Sequence, residues 1–216
     1  LLQGGDQIYA DEVLDAHPLA RAWADGRADR HADDPAALAE LADALADAFL
    51  ARYLALLAQP EIVALGARVP TLAMWDDHDI VDGWGSLPPA RLDSAVGRTI
   101  FSVARDFFLV FQAGVAPDEP PPIALDPAGA TLSWRVRLPG VDLVAPDLRS
   151  ERRPDRVMGE AGWRAFETAL AEADGRVLVL SSVPALGPRL SVVERLMLLT
   201  PWMEKYEDDL RDQWQS

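Results

Sequence analysis

The stretch PTLAMWDDHDIVDGWGS, residues 70–86, indicates how this chain folds and where its polar chemistry lies. Pro70 marks a boundary, and the apolar residues that end in Trp75 are typical of a short buried strand. Four ionisable residues follow this strand without a gap: Asp76, Asp77, His78 and Asp79. Because neighbouring carboxylates raise one another's pKa, such a cluster needs a cation or a set of hydrogen-bond donors to stabilise it.

Two helices are predicted on either side of this strand. The first runs over residues 34–58, where Asp34 suits the N-cap, Pro35 suits the first helical position, and apolar side chains recur at helical spacing. The second begins at Asp93 or Ser94 and has three phenylalanines on one face. Both helices therefore bury an apolar face.

The second half of the chain alternates strands with a helix. Residues 131–138 and 141–148 flank a Pro-Gly pair and predict a β-hairpin. A helix over about residues 160–173 precedes an apolar run at 176–182 that is typical of a buried strand. A polar amphipathic helix is predicted over residues 201–216. The order of elements predicts an α/β fold, layered, with a mixed β-sheet core flanked by helices.

Length and composition limit the class of protein. The 216 residues contain no clear linker, so we expect a single partial domain over residues 1–216. No apolar run approaches the roughly 20 residues of a membrane span, and the net charge of -15 disfavours a nucleic-acid-binding surface. Cysteine is absent, which excludes disulfides and thiolate ligands but leaves localisation open. The chain begins without Met, and we expect an internal segment of a longer protein.

A second polar cluster lies at the start of the chain. A short apolar stub leads into Gly4 and Gly5, and then into Asp6, Tyr9 and Asp11. Functional residues of open α/β sheets collect beyond the carboxyl ends of strands, so the two clusters could lie side by side and hold two metal ions about 3.5–4 Å apart. Oxygen and imidazole ligands suit Mg, Mn, Zn or Fe, and a phenolate favours a ferric ion.

Together these segments resemble the alkaline phosphatase D (PhoD-like) branch of the calcineurin-like metallophosphoesterases. The resemblance covers nearly the whole chain and follows the family's order. It implies a four-layer sandwich and hydrolysis of a small phosphoester at a dinuclear metal site. The segments that carry it are GGDQIYAD (4–11), WDDHDIVDGWGS (75–86), PDLRSERR (146–153), GWRAF (162–166) and VLVLSSVP (177–184).

The resemblance also implies a set of metal ligands. Asp6 and Tyr9 fall on the family's Gly-Asp-x-x-Tyr motif, and Asp77 would be a ligand to the second metal. The implied cofactors are two metal ions, Fe(III) with a divalent ion such as Ca, Mn, Zn or Mg. The family's first and last metal motifs have no counterpart in these residues. A non-catalytic fragment or binding module that keeps the fold is therefore the alternative.

Three further residues would act on the substrate side if the resemblance holds. His78 would face the phosphate, and Asp79 would orient His78 from behind. Arg149 lies in a segment similar to the family's Asp-x-Arg-Ser/Thr motif and would contact the phosphate. The alternatives are a solvated acidic loop for the cluster, a core or rim position for Tyr9, and surface ion pairs for the arginines of residues 149–156. Oligomeric state is left open.

Overall fold

The computed structural model describes residues 1–27, 29–185 and Trp214. The chain divides into two compact units: Leu1–Asp82 with Pro89–Pro122, and Gly83–Pro88 with Ile123–Ser216. A single domain over residues 1–216 stays a prediction. The helix predicted at residues 201–216 lies outside the described residues, apart from Trp214. No helix within the described residues combines the length and apolar character that a bilayer span requires.

Within its described residues, the first unit combines two short strands with five α-helices. Strands β1 (Leu2–Gly4) and β2 (Leu72–Met74) pair in parallel, with Leu2 opposite Leu72. Short 3-10 turns cover Asp11–Ala16 and Asp77–Asp79. The α-helices are α1 (Pro18–Ala24), α2 (Pro35–Leu57), α3 (Pro60–Gly66), α4 (Pro89–Leu92) and α5 (Ala95–Phe108).

Helix α2 confirms the prediction for residues 34–58. The Asp34 side chain accepts the backbone N–H of Ala36 at 3.0 Å, and Pro35 occupies the first turn. The apolar stripe faces the core of the unit, where α2 packs against α5. Burying each such side chain stabilises the fold by roughly 1.5–3 kcal/mol. The buried residues of the stripe are Leu41, Leu45, Phe49 and Tyr53.

Helix α5 is capped by Ser94, whose hydroxyl accepts the N–H of Gly97 at 3.0 Å, so the predicted second helix is confirmed. Beyond α5 the chain continues as a π-helical turn over Leu109–Ala113. This turn ends at Gly114, which has a left-handed φ of 71°. A π-helical turn contains one more residue than an α-helical turn and shifts the side chains that follow it around the helix axis.

The second unit contains one mixed sheet and one helix within its described residues. Strand β3 (Trp134–Leu138) pairs antiparallel with β4 (Val141–Ala145), which pairs in parallel with β5 (Arg176–Val179). Helix α6 (Glu160–Ala171) contributes buried side chains to the hydrophobic core of this unit. The hairpin and the helix are confirmed, whereas the prediction that the last strand is buried is wrong, because all four β5 residues are exposed. The core cluster contains Val144, Leu148, Val157, Met158, Phe166, Ala169 and Val183.

Helices with mixed strand pairing confirm the α/β class. The described strands form two separate sheets, one of two strands and one of three. The four-layer sandwich implied by the resemblance stays an expectation.

Candidate metal centre

The parallel pairing of β1 with β2 brings the two predicted polar clusters together. Gly4 lies opposite Met74, so the loops that follow the two strands leave the sheet at the same edge. They approach closely at Gly5, where a Cβ would lie only 2.5 Å from the Cβ of Asp76. Gly5 and Asp6 both have positive φ, 109° and 55°, which turns the chain sharply at the cluster. A side chain at position 5 would force the loops apart.

The first candidate ion site is formed by Asp6, Asp76 and Asp77. Carboxylate oxygens of these three residues lie within 4.8 Å of one another. Oδ1 of Asp6 is buried and has no hydrogen-bond partner among the described residues. Burial, followed by the charges of Asp76 and Asp77, raises the pKa of Asp6 to about 6. An unpartnered buried oxygen among three carboxylates is a donor set that fits a hard cation.

A second candidate site is formed by Asp77, His78 and Asp82, whose ligand atoms also lie within 4.8 Å. Asp77 belongs to both groups and joins them. The side chain of Asp82 is mostly exposed, and its Oδ1 lies 3.8 Å from Nε2 of His78. Asp76 and Asp82 were not among the predicted ligands. The sequence held a signal for both, because Asp76 belongs to the acidic run after β2 and Asp82 follows that run by three residues.

His78 is held by Asp11. Nδ1 of His78 lies 2.8 Å from Oδ2 of Asp11, whose Oδ1 accepts the N–H of Asp82 at 2.7 Å. Burial alone would lower the pKa of His78, but the hydrogen bond and charge of Asp11, together with the charges of Asp77 and Asp6, outweigh burial and raise it. The ring of Tyr9 packs on the imidazole with centroids 4.4 Å apart and is 52% exposed. The loop after β1 therefore fixes the orientation of His78.

Asp79 has a different place from the one expected. It makes no hydrogen bond to His78 in the structure, because its carboxylate points to the backbone of both loops and is completely buried. Oδ2 accepts the N–H groups of Asp6 at 2.8 Å and Asp76 at 2.9 Å. Burial raises the pKa of Asp79 to about 6, although these hydrogen bonds oppose the shift. Asp11 thus occupies the position that was expected for Asp79.

Arg149 lies in the second unit, and its side chain is completely buried. Its backbone N–H donates to Oδ1 of Asp147 at 3.0 Å, and Nη1 donates to the carbonyl oxygen of Trp84 at 3.0 Å. Its contact with a phosphate stays a prediction. Trp84 is also buried.

The fold and these loops define an α/β protein that gathers acidic residues and a histidine beyond the ends of parallel strands, where such folds bind their ligands. The chain belongs to the family of PhoD-related phosphatases, whose profile matches residues 1–205. This match confirms the PhoD-like resemblance of the sequence motifs.

One curated relative is the uncharacterized protein YGR266W of Saccharomyces cerevisiae, with 24% identity over 243 aligned residues. The alignment covers 93% of this chain and 34% of the yeast protein, so the chain spans about a third of that relative's length. No solved structure matches the chain. Family membership supports a phosphatase-like function.

Proposed function

We propose that this protein hydrolyses phosphate monoesters or diesters at a centre of two metal ions. Membership of the PhoD-related phosphatases supports the reaction class. The observation that carries the proposal is the buried, unpartnered Oδ1 of Asp6 within a group of three carboxylates. These groups repel one another unless positive charge lies between them.

Asp6, Asp76 and Asp77 would hold one ion, and Asp77 with Asp82 would contribute to the second. Tyr9 is proposed as a further ligand, and its phenolate would favour Fe(III), with a divalent ion such as Ca, Mn, Zn or Mg beside it. When bound, the ions would neutralise phosphoryl oxygens and increase the acidity of water.

His78 would act on the substrate. Asp11 accepts a hydrogen bond from Nδ1 and favours the imidazolium form, so Nε2–H remains as a donor. A donor at this position would stabilise charge on a phosphoryl oxygen or give a proton to the leaving group. Asp11 would hold the ring in the orientation that this transfer requires.

A second candidate is a non-catalytic fragment or binding module that keeps the fold but lacks a complete metal site. It is favoured by the burial of Arg149, the one arginine predicted to contact phosphate, because a fully buried guanidinium that donates to a carbonyl is poorly placed to reach a substrate.

The test uses the protein purified with its native metals and two substrates, nitrophenyl phosphate and its bis-ester. The double variant Asp6→Asn, Asp77→Asn should lose hydrolysis by at least about 100-fold and lose bound metal. The matched control is Asp43→Asn, Asp47→Asn on the exposed face of α2, which should change neither property. Absence of bound metal together with absence of hydrolysis would favour the binding module, and unchanged hydrolysis in the first variant would refute the proposed centre.

A further inference from the structure

We infer that Gln112 is a positioning residue of this centre, which holds the two ligand loops in place through Asp79. The inference rests on the proposed function, because it concerns the placement of the proposed metal ligands. Gln112 lies on the π-helical turn beyond α5, far in sequence from every motif of the PhoD-like resemblance.

Asp79 is the residue through which Gln112 acts. One of its oxygens accepts N–H groups from both loops, since Asp6 and Asp76 each donate to Oδ2. The other oxygen accepts the N–H of Ile8 at 3.4 Å. A small rotation of this carboxylate would therefore displace the backbone at both Asp6 and Asp76. The distance between these two ligands depends on how firmly Asp79 is held.

Gln112 supplies the one side-chain hydrogen bond that Asp79 receives from the described residues. Nε2 of Gln112 donates to Oδ1 of Asp79 at 2.9 Å and to the hydroxyl of Tyr53 at 2.9 Å. Tyr53 is 2% exposed and is anchored on α2, where its ring stacks on Phe111 with centroids 4.6 Å apart. The hydrogen bond to Tyr53 thus holds the Gln112 amide in place, and the amide in turn restricts the orientation of the Asp79 carboxylate.

The backbone at Gln112 supports a role beyond packing. Residues 109–113 form a π-helical turn, a less favourable arrangement than continued α-helix that occurs frequently at functional sites. The extra residue of this turn changes the direction in which Gln112 leaves the helix axis.

The variant Gln112→Met keeps the length of the side chain and removes the donor. Loss of a group that supports a metal ligand commonly reduces metal affinity by about 10–100-fold, and we expect a loss in this range. Gln112→Asn keeps the amide but is one methylene too short to reach both partners, and it should show the same effect if the Met variant does not fold. Gln59→Met, at an exposed position between α2 and α3, is the matched control.

The experiment measures two quantities on the whole protein: Mn²⁺ affinity by calorimetry, and amide hydrogen exchange at Asp6 and Asp76 in the absence of metal. The Gln112 variants should bind Mn²⁺ more weakly and exchange these two amides faster than Gln59→Met, with unchanged exchange in the core of α2. Affinity and exchange equal to those of Gln59→Met would overturn the inference. If the unsubstituted protein binds no Mn²⁺, that result counts against the proposed function only. The exchange measurement, made without metal, still tests whether Gln112 holds the two loops in place.

Discussion

Gly5→Ala tests the close approach of the two loops that form the acidic centre. The added Cβ would lie 2.5 Å from Cβ of Asp76 and 3.2 Å from its backbone nitrogen, where ordinary contacts are 3.4–4 Å. The loops would have to separate by about 1 Å, and the φ of 109° would add strain of about 1–3 kcal/mol. At roughly 2–4 °C per kcal/mol for a chain of this size, Tm should fall by about 2–12 °C.

The assay is thermal unfolding followed by circular dichroism, with and without Mn²⁺. Gly4→Ala is the control, because a Cβ at Gly4 meets no atom within 4 Å. The Gly5 variant should melt lower than this control and gain less Tm from Mn²⁺, since Asp6 and Asp76 would lie further apart. Equal Tm values and equal Mn²⁺ effects in the two variants would refute the reasoning.

Two further predictions concern protonation. Asp11→Asn should lower the pKa of His78, measured by NMR titration, because the carboxylate at Nδ1 is lost; an unchanged value, or the same change in the exposed control Asp15→Asn, would contradict the geometry. Asp6 and Asp79 bind protons more tightly in the folded chain, so without metal their contribution to stability is present below pH 3.8 and lost as pH rises through about 6. Asp79 alone accounts for about 3 kcal/mol over its whole titration, of which about half is lost between pH 5 and pH 7.5. Urea unfolding in chelator should therefore show lower stability at pH 7.5 than at pH 5, and a rise instead would count against the burial of these groups.

Local signals predicted most of the fold. Helix α2 has its cap, its first-turn proline and its apolar stripe within one continuous segment, so residues 34–58 carry all that the prediction needs. The hairpin followed from the turn at Pro139–Gly140, where Gly140 has a φ of 78°. The exposure of β5 could not be predicted, because an apolar run specifies a strand but not what covers its faces.

The candidate site was predictable in its location but not in its internal contacts. Two apolar strands that each end in acidic residues indicated that Asp6 and Asp77 lie together. Side-chain directions within the 3-10 turn at residues 77–79 follow no simple period. The sequence therefore did not show that His78 contacts Asp11 and not Asp79. Gln112 was missed because a π-helical turn has no sequence signature comparable to a cap or a proline.

The parallel pairing of Leu2 with Leu72 has a consequence for the order of folding. It joins segments 70 residues apart, so closing this contact costs chain entropy that the helices between them, built on local contacts, do not require. We expect helix formation to precede assembly of the acidic centre. Mn²⁺ should then slow unfolding and leave the refolding rate nearly unchanged in stopped-flow experiments, because the acidic residues that bind it come together only late in folding.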